Sequence, residues 1–226
     1  MATLAQLLAH HDCILVLDAA SNNVQVGLLR NKAAPVWRAS SDESGKALFT
    51  GADGCLREAG LTMKDVRAFV FCEGPGSMLG VRTAAMAIRA WQAELARPAY
   101  HYQSLVLIAH ELVRNGNTGP FSVIADSRRD SWHCIGVAAD GYPSSLRRIA
   151  TATLALSSEP LFQPTGFRAW APPPRPTQSC DYDLAVLFAA HADKELFSGT
   201  DAPDAFQHEA PDYKKWSAQV HSALTK

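Results

Sequence analysis

The sequence predicts an α/β protein in which mixed sheets are flanked by helices, on two observations. Residues 66–95, VRAFVFCEGPGSMLGVRTAAMAIRAWQAEL, read as a buried strand, a tight glycine corner and a long amphipathic helix. ILVLDAASNNVQVGLL (residues 14–29) and FSVIADSRRDSWHCIGV (residues 121–137) share one pattern of apolar strand, aspartate, polar turn and apolar strand. Asp18 and Asp126 occupy equivalent places in it. A hairpin repeated at the start of two successive units suggests duplication, hence two lobes.

In order along the chain, residues 13–18 (CILVLD) form a buried strand, 24–30 an alternating second strand and 35–40 a third. Residues 44–60 form a helix with Leu48, Ala52, Cys55, Leu56 and Ala59 on one side, weakened by internal glycines. Strand 66–72 ends at Gly74-Pro75-Gly76, which suits a type II turn: proline presets the second position and Gly76 can take a positive φ at the third. Ser77 is placed to cap helix 77–96. A strand at 99–102 and a helix at 105–114 follow. After the second hairpin, Pro160, Pro164, Pro172, Pro173, Pro174 and Pro176 mark 157–180 as loop. A helix at 184–197 and a short helix in the tail close the chain.

Helix 77–96 has two contrasting faces. Val81, Ala84, Ile88, Trp91 and Leu95 make a core stripe at spacings of three and four residues. The opposite stripe, Leu79, Arg82, Met86, Arg89, Ala90, Ala93 and Arg97, lacks the Glu and Lys of a solvated face, and Arg and Met are enriched where protein surfaces meet. An ordinary exposed face of good helix formers is the competing reading.

Composition narrows the function classes. At 226 residues and 47% hydrophobic, the chain has ample core for one large domain or two lobes. Twenty-one basic residues balance 22 acidic ones, with no long basic run, so any nucleic-acid role is expected through a partner. Five widely spaced cysteines without a CxxC pair suit buried free thiols in a reducing compartment. No apolar stretch reaches membrane-spanning length and the start lacks a basic signal-peptide region, so a cytoplasmic protein without membrane contact is expected.

Catalytic patterns are sparse. The corner has neither P-loop nor dinucleotide spacing. No glycine follows Asp18 in DAASNN or Asp126 in DSRRD, so backbone approach to a triphosphate would meet side chains. Both aspartates read as turn formers bonded to nearby amides. The eight histidines contain no HxxxH pair, so no metal site is expected. His133 and Cys134, neighbours on a strand, point to opposite faces and form no dyad.

ILVLDAAS at the start, GPGSMLGVR after the fourth strand and VIADSRRDSWHCIGV at the second lobe together resemble the TsaB (YeaZ) family, which shows similar motifs in the same order; the tail's YKKW is also similar. The corner carries most of the specificity. The resemblance implies a two-lobed actin-like ATPase (ASKHA) fold, with residues 1–102 as the N-terminal lobe and 103–226 as a smaller C-terminal lobe whose final helix is a candidate to return to the first. It implies a noncatalytic partner of TsaD in forming threonylcarbamoyladenosine beside the tRNA anticodon. The expected partners are a TsaD-like catalytic subunit and a TsaE-like ATPase, with a homodimer in isolation, tRNA engaged only indirectly and no cofactor. By the family's arrangement, helices 44–60 and 77–96 pack on TsaD. That gives a partner surface of Leu48, Ala52, Cys55, Ser77, Met78, Leu79, Arg82, Met86, Arg89, Ala90 and Ala93. Asp18, Gly74, Pro75, Gly76 and Asp126 form a candidate vestigial nucleotide site. The alternative is a divergent ATP-binding kinase or glycoprotease-like enzyme of the same superfamily.

Overall fold

The computed structural model describes residues 1–208; the expected tail helix and YKKW lie outside them. The chain opens with α1 (Leu4–His11), followed by β1 (Cys13–Asp18), β2 (Val24–Arg30), β3 (Val36–Ser40), α2 (Ser44–Glu58), β4 (Ala68–Gly74), α3 (Met78–Glu94), β5 (Ala99–Gln103) and α4 (Ser104–Arg114). Then come β6 (Phe121–Asp126), β7 (Ser131–Val137), β8 (Arg147–Ala150), α5 (Thr151–Leu156), β9 (Leu161–Pro164), β10 (Gln178–Cys180), α6 (Leu184–Ala190) and β11 (Ser198–Thr200).

Two mixed sheets result, with orders β11-β5-β4-β1-β2-β3 and β10-β9-β6-β7-β8. In each, the hairpin strands are antiparallel and the next two strands add in parallel on the other side: β1 pairs β4 and β4 pairs β5, as β6 pairs β9 and β9 pairs β10. The hairpin repeat visible in the sequence is therefore a repeat of whole sheets. The first sheet is more than a product of the first half, because β11 joins its edge antiparallel to β5.

Burial follows from this layering. α2 and α3 cover one face of the first sheet, where Leu15, Leu17, Val26, Phe69 and Phe71 meet Leu48, Cys55, Ala84 and Ile88. Its other face joins α4, α6 and the second sheet in one continuous core containing Ile14, Val70, Leu105, Ile108, Val123, Ile135, Leu187 and Phe188. Apolar side chains therefore fill the space between the sheets.

The structure corrects several sequence expectations. The proline-rich 157–180 segment carries β9 and β10, with Pro164 ending β9, where a missing amide N–H is least costly. α6 ends at Ala190 instead of 197; beyond it Phe197 forms a bridge with Ala2. α1 went unread in the sequence, although Thr3 and Gln6 form a capping box there. The Gly74–Pro75 bond is cis, in place of the expected type II turn.

Candidate functional site

Asp18 ends β1 fully buried. Its Oδ1 accepts from the Ala20 amide at 2.8 Å, the expected turn bond. Its Oδ2 also accepts from the hydroxyls of Tyr102 at 2.5 Å and Tyr182 at 2.6 Å, and the Cys72 thiol lies 3.9 Å from the Tyr182 oxygen. Burial pushes the Asp18 carboxyl above the usual range, opposed by these hydrogen bonds; it pushes the two tyrosines and Cys72 well up, reinforced by the nearby carboxylate. Gln25 of β2 fixes Tyr182 in place, donating to its carbonyl at 2.9 Å and accepting from the Leu184 amide at 2.8 Å.

The glycine corner seals this site. The Ser77 amide donates to the Ala20 carbonyl at 2.7 Å, and the Ser104 hydroxyl donates to the Pro75 carbonyl at 2.7 Å. A Cβ on Gly76 would collide with the Ala20 carbonyl oxygen, and one on Gly80 with that of Ala19. The glycines thus let the corner and the first turn of α3 lie directly on the β1–β2 loop. The amides of Ala20 and Ser77, which a phosphate would need, are already bonded within the protein. Asp18, Gly74, Pro75 and Gly76 are together, as the sequence places them, but around a filled interior.

Asp126, at the end of β6, shares none of the hydrogen bonds of that cluster and is half-buried. Its Oδ1 accepts from the Arg128 amide at 2.5 Å and its Oδ2 from the amides of Trp170 and Ala171 at 2.6 and 3.1 Å. It shares with Asp18 a position in the repeat and the habit of binding backbone amides. Beyond it Arg128, Arg129 and Asp130 have φ of 61°, 50° and 52°, three successive left-handed residues without glycine, each costing about 1–2 kcal/mol.

The proposed partner residues divide. Met78, Leu79 and Met86 are 44%, 75% and 57% exposed, and Arg82, Arg89, Ala90 and Ala93 are exposed beside them. Ser77 is half-buried and caps α3 through the Gly80 amide. Leu48, Ala52 and Cys55 are corrected: they are buried against the first sheet, Cys55 donating its thiol hydrogen towards strand carbonyls, and they present nothing to a partner. The apolar side of α2 is covered by its own lobe. Arg97 also leaves the exposed stripe, lying over the Phe69 ring and donating to the Met63 carbonyl. Leu95, expected in the core, is 45% exposed because α3 ends before it. Trp91 is half-buried, stacked on Phe69 with centroids 5.6 Å apart and edge-on to Phe49 at 5.5 Å. Phe49, itself half exposed, extends the apolar surface from α3 onto α2 and was missed in the sequence, where it lies off the helix's apolar side.

Among the described residues no three His, Cys, Asp or Glu side chains gather as metal ligands, and no helix is long and apolar enough to cross a membrane.

The family model for TsaD, tRNA N6-adenosine threonylcarbamoyltransferase, matches residues 38–141, from β3 past β7. Among solved structures, YeaZ from Pseudomonas aeruginosa superposes with a TM-score of 0.58 at 22% identity, over 80% of this chain and 90% of that one. A second, described as similar to peptidase YeaZ from Pseudomonas aeruginosa, gives 0.59 at 22% identity, over 89% and 99%. No curated protein sequence matches. The two mixed sheets of repeated strand order and these superpositions give the chain the fold of the YeaZ structures. In fold the chain is YeaZ-like, and in sequence it is similar to the TsaD family over residues 38–141, less than half of its length.

Proposed function

We propose that this protein is a noncatalytic subunit in tRNA threonylcarbamoyladenosine modification, bound to a TsaD-like transferase through the outer surface of α3 and the adjoining part of α2. One observation carries the reading: the Asp18 position is closed by Tyr102, Tyr182 and the glycine corner, while Leu79 and Met86 stand exposed on the face of α3 opposite its core stripe. A kinase would need the first position open to phosphates. A stripe of large apolar side chains, small residues and arginines suits a protein interface. The resemblance supplies the partner's identity, and the local match to the transferase family supports it.

Copurification from the native cell tests the proposal. The wild-type chain should bring down a TsaD-like subunit, Met86→Asp should not, and the modified adenosine should fall in cells that carry only the variant. A variant that is folded, bound and fully complementing would overturn the interface.

A further inference from the structure

β3 is an open edge of the first sheet, paired to β2 on one side only. It runs five residues, against three for the edge strands β11 and β10 and four for β8, and no bulge interrupts its register. Shortness and bulges are common ways of blunting an edge against further pairing; β3 is the longest of the four edges and lacks the bulge. Hydrogen-bond alternation fixes which of its groups face outward. The Asn31 amide donates to the Asp12 carbonyl, and counting along the antiparallel register from that bond turns the backbone groups of Gly27 and Gln25 towards β1. Trp37 and Ala39, opposite those residues, therefore direct their N–H and C=O groups away from β2. The Trp37 carbonyl accepts from the neighbouring Arg38 guanidinium at 2.9 Å, and among the described residues the two outward amides have no acceptor.

Depressions follow this edge on both faces. On the Trp37 face, one of about 200 Å3 is lined by Leu4, Leu8, Leu29, Trp37 and Phe188 among others, and beside it one of about 240 Å3 is lined by Asn23, Gln25, Ala39 and Asp183 among others. On the α2 face a third, of about 130 Å3, lies between Ser40, Ala47 and Thr50. An added strand needs this alternation, because its successive side chains point to opposite faces and those sharing a face stand roughly 7 Å apart. Charge on the Trp37 face is one-sided. The Arg38 head lies over α2, where it pairs with Glu58, and Arg30 shares the other face with Cys13, its partner across the ladder. Asp183 caps α6 by accepting from the Ala185 and Val186 amides through Oδ1, and it has no ion pair among the described residues.

We propose that β3 receives an extended segment of a partner protein as an additional strand. The segment's backbone bonds to the outward groups of Trp37 and Ala39, the strand-addition mode of peptide recognition, in which main-chain bonds give affinity and pockets for alternate side chains give specificity. It displaces the Arg38 guanidinium from the Trp37 carbonyl. Its side chains run apolar, small, basic: the apolar one enters beside Trp37 and Phe188, the small one lies at Thr50 on the α2 face, and the lysine or arginine, two positions from the first, brings its cation to Asp183. The surface shares no residue with the outer face of α3 and does not depend on it.

The test titrates the full chain with a capped synthetic peptide of threonines that carries one leucine and, two positions on, one lysine. Calorimetry should show saturable binding, and NMR should show the Trp37 and Ala39 amides and the Trp37 indole shifting with it. N-methylating the peptide amides that face β3 removes edge bonds while keeping every side chain, and should weaken binding about tenfold or more. Ala39→Pro deletes one outward donor at an edge position, where proline is tolerated, and should weaken binding similarly with thermal unfolding unchanged; if this variant fails to fold, the methylated peptide on the wild type decides. Asp183→Asn keeps the helix cap and should weaken the lysine peptide by about twofold to fivefold while leaving a glutamine counterpart unaffected. No saturable binding, binding indifferent to N-methylation, or equal binding by a peptide with aspartates in place of leucine and lysine would overturn the proposal. A concentration-dependent dimer abolished by Ala39→Pro but kept in Leu79→Glu would give the edge to a second copy of this chain and overturn it as well.

Discussion

The Tyr182 hydroxyl donates to Asp18 Oδ2 at 2.6 Å, joining two residues 164 positions apart. Asp18 ends the first strand of the first sheet, and Tyr182 precedes α6 in the second half of the chain. Tyr102, from β5, reaches the same oxygen. This carboxylate therefore acts as a buried tie between the halves, at the place where a phosphate-handling relative would need open space.

Removing one donor from that tie should cost stability without affecting any turnover. Tyr182→Phe leaves a buried carboxylate oxygen with Tyr102 alone, a loss of about 1–3 kcal/mol. Asp18→Asn should cost a similar amount, since its amide NH2 cannot accept from a tyrosine hydroxyl. Chemical denaturation measures both. ATP hydrolysis by the purified chain should be absent before and after substitution; steady turnover abolished by Asp18→Ala would contradict the closed-site interpretation.

Gly80 lies in the first turn of α3, where alanine ordinarily gains about 1 kcal/mol over glycine. Here the added Cβ meets the Ala19 carbonyl, a backbone atom that cannot swing aside. Gly80→Ala should instead destabilise by about 1–3 kcal/mol. Gly54→Ala, on α2, provides the comparison: its Cβ would meet only the Arg38 side chain, nearest at 3.6 Å. A melting temperature raised by both substitutions would show that the corner does not depend on this close approach.

Periodicity made the layering legible. The repeated hairpin foreshadowed the repeated sheet order, and spacings of three and four residues separated Val81, Ala84 and Ile88 from exposed Leu79 and Met86. What periodicity cannot convey is the identity of the covering surface. Leu48, Ala52 and Cys55 had to be covered by something, and the structure places their own sheet there. β9 and β10 are only four and three residues long and exist by pairing with distant strands, so local proline content outweighed them. Tyr102 and Tyr182 carry no local mark of their shared oxygen, because only the finished fold brings them together.

His133 of β7 bonds to the His208 ring at 2.9 Å and stacks on it with centroids 5.0 Å apart. Burial first, then the His208 and Arg148 charges, pull its pKa from 6.5 down to about 4, against a smaller upward pull from Asp126. The unfolded chain therefore binds this proton near pH 6.5 and the folded chain only near pH 4. Between those values the unfolded state holds more protons, so stability falls as pH is lowered. His133→Gln should flatten that part of the stability profile, measured by denaturant midpoints across the window. An unchanged slope would remove His133 as its source.

The two faces of α3 should respond to substitution in opposite ways. Trp91→Ala deletes a ring stacked on Phe69 and edge-on to Phe49, and because Trp91 is only half-buried the cost should lie at or below the lower end of the roughly 3–5 kcal/mol of a full core aromatic. Ala93→Trp places a large ring on an exposed position, where substitutions usually shift stability by less than about 0.5 kcal/mol. It would nevertheless hold a packed partner away from the stripe formed by Leu79, Met86 and Ala90. The same exposed stripe should let the isolated chain pair with a second copy, visible by light scattering and lost in Leu79→Glu. The expected pattern is a destabilised Trp91→Ala beside a stable Ala93→Trp that neither self-associates nor binds a TsaD-like subunit. If Ala93→Trp binds and complements as the wild type does, and the wild type stays monomeric at high concentration, the outer face of α3 is a solvated surface and the proposed interface lies elsewhere.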